Sequence, residues 1–370
     1  MEKDSKKQRN SNIELLRIIA ILFILMSHYS IYTPIDKNSL SFGFNKVLLD
    51  ALEVGPLGVA IFVMITGYFM SKTKFNINRT INIVLQTLFY SVGIFVVFSI
   101  VDRDKFSLSG LFKSMFPVIT GQYWFITAFV ILSLLVPFLN NVINNISRKK
   151  FIILLSVLFF YVSFAPTFFM FSSYSYLGHM GYMITFYLFG AYIRIYPDNI
   201  LSLKKHLSVF LIVVSAFVML LSVILIMLAN NYFSGFPASP IYFYSVNSVI
   251  FLILAISLLS YFVNKEPMQN RLINTVGGCT LGVYLISEHI LLRDVIWKRV
   301  FNNESFADSY LLIVHLIISV LSVFVVCCLI EWIRKTLFEK NLFKKLYCFV
   351  YKLLYRVKSG LYNTIEKMIE

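Results

Sequence analysis

Charge is scarce in this chain. Only 14% of its 370 residues are Asp, Glu, Lys or Arg, too few to coat a water-soluble surface. Cysteine is sparser still: the four stand at 279, 327, 328 and 348, in or near apolar segments or the C-terminal tail. None falls in a loop expected outside the membrane, which argues against a disulfide framework. No CxxC or HxxxH spacing offers a metal site. The net charge of +15 is dispersed among loops and lacks the clustered basic face of a nucleic-acid binder. No small-residue cleavage site follows the first apolar helix, so that helix is expected to be retained. Internal repeats, low-complexity stretches and long polar regions are missing too, and with them any sign of a second, soluble domain.

What is present is hydrophobic sequence, 58% of the chain, with a mean hydropathy of +0.78. The expected class is an all-α polytopic membrane protein. Windows of about 20 apolar residues predict ten transmembrane helices, roughly 14–33, 50–71, 80–101, 121–140, 151–170, 177–195, 207–230, 241–263, 272–292 and 309–333. The sixth and ninth are thinned by Gly and polar residues. With the N-terminus in the cytoplasm, 24 Lys and Arg fall inside and eight outside, Arg17 within a span completing the 33. Ten spans with both termini cytoplasmic satisfy that bias. Residues 1–335 then form the membrane core. Residues 336–370, alternating apolar and basic groups, read as an amphipathic helix on the inner leaflet that binds membrane lipid.

The first span, NIELLRIIAILFILMSHYS, carries Glu14, Arg17 and His28. Eleven residues separate Arg17 from His28, so they differ by about 20° around a helix and stand about 16 Å apart along it. Ionisable groups in a membrane helix are costly and face a protein interior or wet cavity, so this face is expected to line a tunnel. The loop 32–49 reads as an irregular cover over its mouth. In the second span Glu53, Gly55, Pro56 and Gly58 mark the outer end, the glycines permitting close packing or a break. Lys72, Lys74 and Arg79 follow on the Arg17 side. They satisfy the positive-inside rule, and they also suit a phosphate-bearing ligand. Gln122 and Trp124 open the fourth span, where they serve as interfacial anchors or as contacts to a sugar. His206 is expected in a solvated inner loop, and His315 to bond a neighbouring helix within the core. The ninth span ends in Ser287-Glu288-His289. Adjacent helical residues point about 100° apart, so Glu288 and His289 cannot both face one point.

Four motifs now stand in order: Arg-x10-His in the first span, then GVAIFVMITGYF, QYWFITAFVILSLLVPFLN and LGVYLISEH. Together they resemble the acyltransferase-3 family of integral membrane O-acyltransferases, in its stand-alone form, over about residues 10 to 335. The resemblance implies transfer of an acyl group, usually acetyl from cytoplasmic acetyl-CoA, to a hydroxyl of an extracytoplasmic glycan or lipid-linked saccharide. It places the family's histidine on His28 and its arginine on Arg17. Many relatives have histidine directly after the Tyr-Leu-Ile run, where this chain has Ser287, with His289 two places on.

The residues then take roles. His28 is expected as the general base that activates a sugar hydroxyl, with an acyl-histidine intermediate as the variant. Arg17 and Arg79 are expected to hold the acyl-CoA, while Gln122, Trp124, Glu288 and His289 are candidates on the acceptor side. No permanently bound cofactor is expected, since acetyl-CoA or another short acyl-CoA is a substrate. Two other readings are a transporter or flippase for a lipid-linked saccharide, which calls for acidic residues deep in several spans, and a glycan polymerase, which calls for a large outer loop. The Ile, Lys, Phe and Asn bias points to a bacterial plasma membrane.

Overall fold

The computed structural model describes residues 10–33, 35, 40, 42–169, 178–198, 201, 203–233 and 239–338. The expected C-terminal amphipathic helix, beyond its first three residues, lies outside the described residues, as do the basic residues before Asn10. Among the described residues there are helices and no strands, the arrangement a bilayer enforces on open chains because every backbone N–H must be paired within its own segment.

A helix stands at each of the ten expected places. They are α1 Ser11–Ile31, α2 Gly55–Met70, α3 Ile77–Val101, α4 Trp124–Asn145, α5 Arg148–Phe159, α6 Gly178–Ile195, α7 Lys205–Tyr232, α8 Val249–Val263, α9 Arg271–Ser287 with its turn at Gly278, and α10 Leu312–Arg334. Seven of them, counted with their continuations, are long and apolar enough to cross a membrane. The chain is a multi-pass membrane protein.

Three expectations need correcting. The ninth span is not one helix: α9 stops at Ser287, and Ile290–Val300 leaves it at 77°. The eighth begins at Val249, not 241, because the Ser248 side chain accepts from the Ile250 amide and caps it, leaving 242–244 as a separate turn. The loop 32–49 is not wholly irregular either, since Phe44–Ala51 is a short helix at its end.

The helices sort into two layers. In α1 and α2 about two-thirds of the apolar window is buried (61% and 67%), whereas in α3, α4, α5, α7 and α10 the share is 22–33%. The outer helices present Leu, Val and Phe outward, as lipid-facing surface requires, and keep most of their mid-helix polar groups on the inward side. The inner ones carry Gly, Ser, Thr and ionisable groups, because they touch protein. At the α2–α6 crossing Gly67 lies on the Tyr187 carbonyl and Gly190 on the Met64 carbonyl, each so close that a Cβ would collide. Asn140 of α4 ties that pair at one end: it donates to the Met70 carbonyl and accepts from the Tyr187 hydroxyl.

Candidate active site

α1 begins on an Asn10 cap, the side chain accepting from the Asn12 amide, and ends with the Tyr32 amide donating to the His28 carbonyl. Four residues apart, His28 and Tyr32 share a face and their rings lie 5.0 Å apart. Opposite them is the break after α9. Glu288 caps the end of that helix, and its carboxylate reaches α1 across 260 residues of sequence. Its Oε2 is 3.0 Å from His28 Nε2, and the Tyr32 hydroxyl donates to both carboxylate oxygens at 2.8 and 2.9 Å. Arg293, one turn into the next helix, sets Nη1 3.5 Å from Oε1 and lays its guanidinium 4.3 Å over the Tyr32 ring.

His28 is 8% exposed and Glu288 6%. A carboxylate so buried is tolerated only when paired and hydrogen-bonded, which is what Tyr32, His28 and Arg293 supply. The carboxylate accepts only, so it selects the His28 tautomer with its proton on Nε2. Nδ1 then carries the free lone pair, and it is buried with no hydrogen-bond partner.

A cavity of about 430 Å³ opens on this pair, lined by His28, Tyr32 and Glu288 and, across from them, Trp124, His179 and Asn247. Trp124 and His179 lie face to face with ring centres 5.0 Å apart and planes tilted by 32°. A second cavity of about 320 Å³ lies towards the other end of α1, lined by Arg17, Thr66, Thr280, Gly278 and Lys335 among others. Ile24 and Tyr284 line both, so the two cavities share a wall. On α1, Arg17, Ile24 and His28 follow one stripe through both.

Arg17 is held by Glu14, with Nη1 at 3.0 and 3.2 Å from its two oxygens. Gly277 makes room for Glu14: a Cβ there would stand 2.7 Å from Glu14 Oε2. The second cation of this cavity, Lys335, donates to the Gly278 carbonyl and lies 3.6 Å from Glu331 Oε1. Glu331 is fully buried; it accepts from Arg334 at 2.7 and 2.8 Å, from Tyr90 at 2.6 Å and from Gln86 at 3.1 Å.

The candidates named from the sequence thus divide. His28, Glu288 and Trp124 share the larger cavity, and Arg17 lines the smaller. Arg79 is exposed and does not line the smaller cavity, whose second cation is Lys335. His289 turns away from His28. Its Nδ1 accepts from the Leu291 amide, capping the next helix, and its Nε2 lies 3.3 Å from Gln122 Nε2. With Nδ1 accepting, Nε2 carries the proton, so the Gln122 amide is best turned to offer its oxygen there and its nitrogen to Ser91. Gln122 and His289 are therefore bolts between the α9 break and α3, not lining of the cavity. His315 is a core histidine: Nδ1 accepts from Tyr29 at 2.9 Å, Nε2 donates to the Phe301 carbonyl at 3.0 Å, and the ring stacks on Phe306.

Tyr32, Arg293, Asn247 and Lys335 were not among the sequence candidates. Tyr32 had a signal, the i, i+4 spacing from His28. The others meet the site only through helix packing. The sequence matches the family model described as an acyltransferase domain over residues 10–332. Neither the curated proteins nor the solved structures contain a match to the chain.

Proposed function

The chain belongs to the acyltransferase-3 family, and from that premise we propose that it moves an acyl group, acetyl in the first instance, from cytoplasmic acyl-CoA to a hydroxyl of a cell-surface glycan or lipid-linked saccharide in a bacterial plasma membrane. One observation carries the reading. A histidine that lines a cavity large enough for a small ligand has its Nε2 on a buried carboxylate and its other ring nitrogen without a partner.

In the proposed reaction the acceptor hydroxyl lies against His28. Nδ1 takes its proton as the oxygen attacks the thioester carbonyl. The tetrahedral adduct collapses, the carbon–sulfur bond breaks, and the leaving thiolate recovers the proton from His28. The Glu288 carboxylate, fixed by Tyr32 and Arg293, stabilises the imidazolium formed between those two transfers. Arg17 and Lys335, in the other cavity, suit the phosphates of the donor, whose thioester arm would pass the wall made by Ile24 and Tyr284.

The test uses membranes from cells expressing the wild type or His28→Ala, given radiolabelled acetyl-CoA. Alkali-labile label should enter surface glycan with the wild type and disappear with the variant at equal protein level. Label retained in the variant would remove His28 as the base. No label with either, in several glycan backgrounds, would turn the assignment to transport of a lipid-linked saccharide.

A further inference from the structure

The His28 cavity does not end at its own walls. A third cavity, of about 390 Å³, shares Ser27, Ile31, Pro56, Ser245 and Asn247 with it, so the two form one groove leading away from His28. Its far part is built from the end of the α5 segment and the turn before α8. The Tyr242 hydroxyl donates to the Pro166 and Thr167 carbonyls at 2.9 and 3.1 Å, and the Val249 amide donates to the Thr167 hydroxyl at 3.0 Å. These bonds hold the groove open in a set shape.

At the junction of the two parts stands Asn247, 5% exposed, with a buried Oδ1 that has no hydrogen-bond partner. A buried amide oxygen left unpaired costs about 1–3 kcal/mol, and a ligand hydroxyl that donates to it recovers that. The walls around it carry hydroxyls and aromatic rings, among them Ser239, Tyr242, Tyr244 and Ser245, and one charged group, Glu53. The sequence agrees over a longer reach, with no Asp, Glu, Lys or Arg from 206 to 264. Among the described residues this lining has no cation for an anionic polymer, and a lipid chain would leave the Asn247 carboxamide and the serine hydroxyls unpaired. Carboxamide, hydroxyls and rings together are the groups that bind neutral sugars.

We propose that this groove is an acceptor subsite that binds a neutral saccharide chain of at least two sugars, the one to be acylated at His28 and its neighbour between Asn247 and Ser239. The inference rests on the acyltransferase reading above and specifies its acceptor.

The test takes the surface glycan of the expressing strain, strips its esters with alkali, and partially hydrolyses it with acid to a ladder of one to four labelled sugars. Purified full-length protein in detergent is given acetyl-CoA, and kcat/KM is measured for each rung. The wild type should favour two or more sugars over one by about tenfold, the loss expected for one buried hydrogen bond. Asn247→Ala should flatten that preference. Ser239→Trp, an exposed position at the far part, should fill the groove and flatten it without touching the core. A wild type that acylates every rung equally, or variants that keep the full length preference, would overturn the groove while leaving the acyltransferase reading standing. A wild type that acylates no rung, and no intact glycan either, would overturn both.

Discussion

Glu288 decides what His28 can do. A histidine alone in an apolar wall would be free to hold either tautomer and either rotamer. With Nε2 set 3.0 Å from Glu288, the proton is placed and Nδ1 is left with the lone pair that the proposed base needs. Glu288→Gln keeps the shape but can donate as well as accept, so it loses tautomer selection and the charge that stabilises the imidazolium. It should cut acyl transfer about a hundredfold or more, while Tyr32→Phe, which removes only a donor to that carboxylate, should cost about tenfold. The check is initial rate of label transfer at saturating acetyl-CoA. Equal rates in Glu288→Gln and wild type would make the pair a structural contact. At this scale the sequence was half legible. Arg17 and His28 share a stripe because the helical repeat says so. That Glu288 faces His28 while His289 caps the next helix and bonds Gln122 depends on the backbone turn between α9 and Ile290, which adjacent identities do not reveal.

Among the elements, the α2–α6 crossing and the α9 break matter most. The crossing brings two backbones together over Gly67 and Gly190, where any side chain must push the helices apart. Gly190→Val should therefore lower stability by about 1–3 kcal/mol, the usual cost of overpacking. Gly93→Val, in α3 with nothing within 4 Å of its Cβ direction, serves as control. Thermal unfolding in detergent should show a clear drop for the first and little change for the second, and equal shifts would mean the crossing is not tight. The extent of most helices could be read from the sequence, because an apolar run of given length in a bilayer has few alternatives to a helix. The break in α9 could not. Glu288 and His289 read equally well as polar residues near a span end, and the bend exists because His289 caps the next helix as Glu288 pairs with α1.

For the whole molecule, two layers follow from solvent: the less buried helices turn apolar faces to lipid, and the more buried ones supply most of the cavity walls. The distribution of Lys and Arg predicts both ends of the chain in the cytoplasm and the His28 end of α1 outside. Leu108→Cys, in the exposed segment after α3, should react with an impermeant maleimide in intact cells. Lys150→Cys, at the start of α5, should react only after permeabilisation. The opposite pattern would invert the molecule and put the acceptor on the wrong side. By itself the sequence determined the membrane class, the helical content, the face shared by Arg17 and His28 and the resemblance that the family match bears out. These rest on local periodicity and on apolar runs that a bilayer leaves little freedom to interpret. Only the tertiary structure decided that Glu288 pairs with His28, that Lys335 and not Arg79 joins Arg17, and that Asn247 stands unpaired in a groove. Each of those meets its neighbour across tens to hundreds of residues, and which buried polar groups pair is settled by how helices pack to relieve their desolvation, not by spacing along the chain.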